Sequence, residues 1–149
     1  MSKDPTVENR PILIVEDDKD LAEIVVRRLC SEGYDAESVH SWEEGKKRLK
    51  TSLPDLLVMD LNLPDADGME VIESLRSEER TRKLAIIVAS AHDETDQLVR
   101  GIRSEVMFFI TKPFELDEMV RKVRSALFQR FESNVPGGVT DLDDPPNPC

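Results

Sequence analysis

Two apolar runs in this chain end in acid: Ile12-Leu13-Ile14-Val15 leads into Glu16-Asp17-Asp18, and Leu56-Leu57-Val58-Met59 leads into Asp60. Four or five consecutive apolar residues bounded by polar ones read as a strand buried on both faces, the situation of a parallel sheet covered by helices. Such sheets carry their chemistry at the carboxyl ends of the strands, in the crevice where strand order reverses. Two neighbouring parallel strands would therefore bring three or four carboxylates to one place. Carboxylates about 5 Å apart repel by roughly 3 kcal/mol per pair at an effective dielectric near 20, so the cluster calls for a divalent cation or for protonation.

Two further apolar runs, Leu84 to Ala89 and Val106 to Ile110, follow at intervals suited to strand-helix units. Helical patterns lie between the runs. Leu21, Ile24, Val25 and Leu29 repeat at helical spacing, and Gly33 stands where that helix would stop. Ser41 with Glu44 three positions on predicts a capping box for a short helix through about Leu49. Met69, Ile72 and Leu75 make a third stripe. Leu116, Met119, Val120, Val123 and Leu127 make the longest, with acids at its start and Arg121, Lys122 and Arg124 later, matching the helix dipole. Tyr34 to Val39 reads as an edge strand with one wet face, and Asp93 to Arg103, around Gly101, as the weakest helix. Five alternations of strand and helix, joined by right-handed crossovers, predict a doubly wound α/β domain: a five-stranded parallel sheet in the order 2-1-3-4-5.

With 149 residues the chain has room for one domain with a sizeable core. Residues 1–9 are expected to be a flexible N-terminus, 10–130 the domain, and 131–149 a disordered tail or truncated linker, since Pro136-Gly137-Gly138 and the acidic stretch after it lack any core-forming pattern. No stretch approaches a membrane span and the first ten residues lack an apolar signal core, so a cytoplasmic protein is expected. Cys30, placed on the buried side of its helix, and Cys149, the last residue, are read as unpaired thiols. A formal charge of −11 opposes contact with nucleic acid or anionic lipid by this domain, and neither is expected as a partner.

Four blocks at predicted strand ends, Ile-Val-Glu-Asp-Asp (14–18), Val-Met-Asp-Leu-Asn-Leu-Pro-Asp-Ala-Asp-Gly (58–68), Ala-Ser-Ala (89–91) and Ile-Thr-Lys-Pro-Phe (110–114), resemble the signature blocks of response-regulator receiver domains, over about residues 10 to 130. The resemblance implies a flavodoxin-like (βα)5 fold with Asp60 as phosphoacceptor. It implies Mg2+, with Mn2+ as a substitute, held by Asp17, Asp60 and the backbone carbonyl of Asn62, with Glu16 acting through a water on the metal. It gives Lys112 and Ser90 contacts to the phosphoryl oxygens, and it makes Phe109 an aromatic that turns into space freed by Ser90. The switched surface is that of the fourth helix, fifth strand and fifth helix. The resemblance also implies a cis Lys112-Pro113 bond, places Asn62 and His92 where the phosphoryl lifetime is tuned, and names a sensor histidine kinase or phosphotransfer protein as donor.

Physical chemistry accommodates those roles. Hard oxygen donors suit magnesium, a carboxylate can form an acyl phosphate, and a cation on either side of the transferring group holds its equatorial oxygens. Asp18 reads as a helix-start residue, Asp65 and Asp67 with Gly68 as turn chemistry, and Trp42 and Tyr34 as packing residues. Glu105-Val106-Met107-Phe108 departs from the family pattern, so Met107 and Phe108 are expected under the tail or in a homodimer contact. Three rival functions are weighed, of which a flavin or nucleotide binder would want a first loop rich in Gly, Ser and Thr where this chain has Glu16-Asp17-Asp18. A Mg2+-dependent aspartyl phosphohydrolase would want an acid two residues after the nucleophile, where this chain has Asn62. A degenerate receiver acting as a binding module would not need the full set Glu16, Asp17, Asp60, Ser90 and Lys112.

Overall fold

The computed structural model describes residues 10–91 and 107–133. Five strands, β1 (Pro11–Val15), β2 (Asp35–Val39), β3 (Leu56–Asp60), β4 (Ala85–Ala91) and β5 (Met107–Lys112), form one sheet in the order β2-β1-β3-β4-β5, every pair parallel. The described helices are α1 (Lys19–Ser31), α2 (Trp42–Thr51), α3 (Gly68–Ser77) and a C-terminal helix (Leu116–Ser133). This is the doubly wound, flavodoxin-like architecture expected from the apolar runs. The segment expected as a weak helix, Asp93 to Arg103, lies outside the described residues, as do both chain ends.

β3 is buried at every position, and the interior residues of β1 and β4 are buried as well, which is why these runs show no alternation. Side chains of odd and even parity supply two separate cores. One holds Ile12, Ile14, Val58 and Ile87 against Val25, Leu29, Met119, Val123 and Leu127. The other holds Leu13, Val15, Leu57, Met59 and Val88 against Leu49, Val71, Ile72 and Leu75. Phe108 is half-buried against the first core, and the tail it was expected to meet lies outside the described residues.

Local chemistry sets the helix ends. Asp18 caps α1, its side chain accepting from Leu21 N–H at 3.1 Å. Gly33, at φ 103°, ends α1 in a Schellman turn: Gly33 N–H donates to Cys30 O at 3.0 Å and Tyr34 N–H to Leu29 O at 3.1 Å. That turn drops Tyr34 into the same core as Leu29. In α2, Glu44 N–H donates to Ser41 Oγ as the capping box requires, while the Glu44 carboxylate accepts from His40 N–H, one residue earlier than expected. The phase of α1 also differs from expectation. Ala22, Val25 and Leu29 face the sheet, whereas Ile24 is 49% exposed and Cys30 is exposed. Glu32 ties α1 to the C-terminal helix by accepting from Arg28 Nε and from Arg124 Nη2, each at 3.0 Å.

Gly68 is required by packing. A Cβ there would meet the Leu61 carbonyl oxygen at 2.5 Å and Leu61 Cα at 2.9 Å, backbone atoms that cannot rotate away. Gly68→Ala is therefore expected to lower the unfolding free energy by about 1–3 kcal/mol, measured by urea titration. On the surface, Arg48 Nε donates to Glu37 Oε1 at 2.9 Å, and that hydrogen bond, over the opposing effect of burial, holds the Glu37 carboxyl below its ordinary value. A depressed folded value adds stability above the unfolded value and loses it as pH falls through the folded one. Glu37→Gln is accordingly expected to be less stable than wild type near pH 7, by at most about 1 kcal/mol, with the gap closing below pH 4; a gap that stays constant with pH would contradict it.

Candidate phosphoacceptor site

The sheet register assembles the site. Val15 pairs with Met59, so Glu16 and Asp60 emerge side by side; Asp60 pairs with Ala89, and Ala91 with Lys112. All of these positions lie at the carboxyl edge of the sheet, where β1 and β3 lead into helices on opposite faces. Glu16 and Asp60 are each only 6% exposed, whereas Asp17 is exposed. Glu16, Asp17 and Asp60 each present an oxygen such that all three lie within 4.8 Å of one another.

Lys112 reaches into this group from β5. Its Nζ donates to Glu16 Oε1 at 2.8 Å and to Asp60 Oδ2 at 2.9 Å. The other Asp60 oxygen accepts from Asn62 N–H at 3.0 Å, and the other Glu16 oxygen from Asp18 N–H at 3.1 Å. Burial pushes the Glu16 carboxyl up and the Asp60 charge adds to this; the hydrogen bonds from Lys112 and Asp18 oppose it without cancelling it. Burial works against the Lys112 ammonium, but its two carboxylate partners outweigh that effect and raise its value, so it stays charged. Three carboxylates against one ammonium leave a local charge of −2 when all are ionised. An all-oxygen donor set with that charge can hold a hard divalent cation such as Mg2+.

The remaining candidates fall as follows. Ser90 is fully buried at the end of β4, in register with Thr111. Phe109 is half-buried against the second core. Asn62 is exposed just beyond Asp60, and the Lys112–Pro113 peptide is cis. His92 lies outside the described residues. Asp67 caps α3 by accepting from Met69 N–H at 2.9 Å. Asp65, read from sequence as turn chemistry, does lie in a turn, and its carboxylate also reaches across to α2, accepting from Trp42 and Glu43 N–H groups at 3.0 Å. His40, which sequence reasoning passed over, places Nδ1 3.2 Å from the Glu16 carbonyl oxygen. Neither contact has a signature in sequence, since both depend on which loops the fold brings together.

Comparison with known proteins agrees with this arrangement. A family model described as the response regulator receiver domain matches residues 12–124. The phosphate regulon transcriptional regulatory protein PhoB of Rhizobium meliloti is 33% identical over 116 residues, covering 78% of this chain and 51% of that protein. The DNA-binding dual master transcriptional regulator RpaA of Synechocystis is 33% identical over 116 residues, covering 78% and 48%. The chain thus spans about half the length of the curated relatives it matches. Because these relatives include a DNA-binding regulator, the exclusion of nucleic acid drawn from charge is not supported. Among solved structures, the signal receiver domain of a LuxO repressor protein from Vibrio parahaemolyticus superposes with a TM-score of 0.75 at 28% identity, covering 87% of this chain and 98% of that one. The receiver domain of a sensor histidine kinase from Pseudomonas aeruginosa, solved with a magnesium ion coordinated in its active site cleft, gives 0.68 at 25% identity, covering 80% and 98%. Signature residues, sheet order and the acidic cluster with its lysine lead to one conclusion: the chain belongs to the response-regulator receiver domain family.

Proposed function

We propose that this chain accepts a phosphoryl group on Asp60, with Mg2+, from a phosphohistidine on a sensor histidine kinase or phosphotransfer protein, and signals by altering a protein-binding surface. The observation that carries the reading is the meeting of Glu16, Asp17 and Asp60 oxygens within 4.8 Å, with Lys112 Nζ 2.9 Å from the acceptor carboxylate. Glu16, Asp17, Asp60 and the Asn62 backbone carbonyl would hold the cation, for which Mn2+ is a substitute. When bound, Mg2+ neutralises negative charge on the transferring group.

In the proposed transfer an Asp60 carboxylate oxygen forms the new bond to phosphorus, the phosphorus–nitrogen bond of the donor breaks, and the departing imidazole keeps the electron pair. Lys112 holds an equatorial oxygen, letting go of its hydrogen bond to Asp60 as it does so. Ser90 offers its hydroxyl to another oxygen. In this reading Phe109 follows the loop that Ser90 drags, and the surface that changes is built from the segment after β4, β5 and the C-terminal helix, where a downstream protein or a second copy docks. Asn62 and His92 govern how readily water reaches the acyl phosphate. Transfer and slow self-dephosphorylation are the whole of the chemistry: Asn62, two residues beyond Asp60, bears an amide that is neither acid nor base near neutral pH, where a phosphohydrolase would have a carboxyl. The names of the relatives, which are transcriptional regulators, support a cytoplasmic setting.

Incubation with a small phosphodonor and Mg2+, followed by intact-mass measurement, is expected to add one phosphoryl group per chain. The addition should vanish in Asp60→Asn and in EDTA. Release of many phosphates per chain would favour the hydrolase, and no addition at all would leave the degenerate binding module.

A further inference from the structure

The first turn of α2 has backbone N–H groups that no helical carbonyl accepts. Ser41 Oγ takes the one on Glu44 at 3.2 Å. The preceding two are taken by a residue far along the chain: Trp42 N–H donates to Asp65 Oδ1 and Glu43 N–H to Asp65 Oδ2, each at 3.0 Å. A carboxylate astride two amides at a helix start is favoured by hydrogen bonding and by the helix dipole together. Those amides, Trp42 first, hold the Asp65 carboxyl below its ordinary value.

Asp65 lies in the loop between β3 and α3, five positions after the acceptor. Other contacts fix the rest of that loop. Leu61 N–H donates to Ala89 O at 2.9 Å, Leu63 is buried in the second core, and Gly68 packs on the Leu61 backbone. Asn62 is exposed between these held neighbours. The segment leading into α2 also reaches the other acidic loop, since Glu16 N–H donates to Val39 O at 3.1 Å and the His40 ring approaches Glu16 O. One helix start therefore touches both loops that supply carboxylates to the site.

We propose that Asp65 is a positioning residue for the cation: by fastening the β3–α3 loop to α2 it fixes the Asn62 carbonyl and Asp60 relative to Glu16 and Asp17. The inference rests on the phosphoacceptor reading above and adds to it a residue that touches neither metal nor phosphoryl group. Direct hydrogen-bond partners of metal ligands change affinity roughly 10- to 100-fold when removed, and a residue one step further out should act about 3- to 10-fold.

The test is a Mg2+ titration followed by the Asn62 amide resonance, with hydrogen exchange of the Asn62 and Leu63 amides in metal-free protein. Asp65→Ala should weaken Mg2+ binding by about 3- to 10-fold and speed exchange at both amides. Asp65→Asn, which keeps one oxygen acceptor, should fall between it and wild type and serves alone if the alanine variant does not fold. Glu37→Gln, which alters only the contact to Arg48 farther along α2 and touches neither loop, should leave Mg2+ affinity unchanged. Wild-type affinity in both Asp65 variants, or an equal loss in Glu37→Gln, overturns the proposal. Wild-type protein that binds no Mg2+ overturns the underlying reading as well, and is told apart because the unsubstituted chain itself fails.

Discussion

Glu16 and Asp60 are brought together almost out of reach of water, with Lys112 bonded to both and Asp17 beside them at the rim. Burying like charges works against folding, and one ammonium cannot balance three carboxylates. A buried ionic group of this kind gives little net stability, because desolvation offsets most of the attraction, and an apolar set of similar volume would hold the fold as well. Locally unfavourable arrangements persist in natural proteins where chemistry needs them. The sheet accordingly keeps its charges at its carboxyl edge and two apolar cores on its faces.

The same constraint explains what surrounds the site. A cluster that repels itself stays together only if its loops are held, and each loop has its own restraint. The β1–α1 loop is closed by Asp18 N–H on Glu16 and by the Asp18 cap on α1; the β3–α3 loop is closed by the Leu61 bond to β4, the tight Gly68 contact and the Asp65 bridge to α2. Lys112 is held at the end of β5 and shared between two acids. In the proposed reading, changing the charge on Asp60 redraws that sharing, which links the reacting group to the strand nearest the output surface.

Strands were legible because burial on both faces leaves continuous apolar runs, and the acids that end two of those runs already marked the site. Gly33 and Asp18 declared the ends of α1 through chemistry confined to a few neighbouring residues. Cys30 and Ile24 were misplaced because a stripe of large apolar residues fixes the buried face only to within one position, and the buried face also takes in the small Ala22. Asp65 and His40 were missed for a different reason. Their partners lie about 20 residues or more away, and a solvent-exposed acid in a turn looks the same whether or not a helix start faces it. What sequence conveys poorly is contact between loops, and the restraint of this site is made of such contacts.

Anomalous diffraction from crystals soaked in Mn2+ tests the central claim most directly. The account predicts one strong peak among the carboxylates of Glu16, Asp17 and Asp60, with Lys112 no longer bridging Glu16 and Asp60. Manganese bound elsewhere, or a soaked crystal in which the three carboxylates stay metal-free and Lys112 keeps both hydrogen bonds, would contradict it.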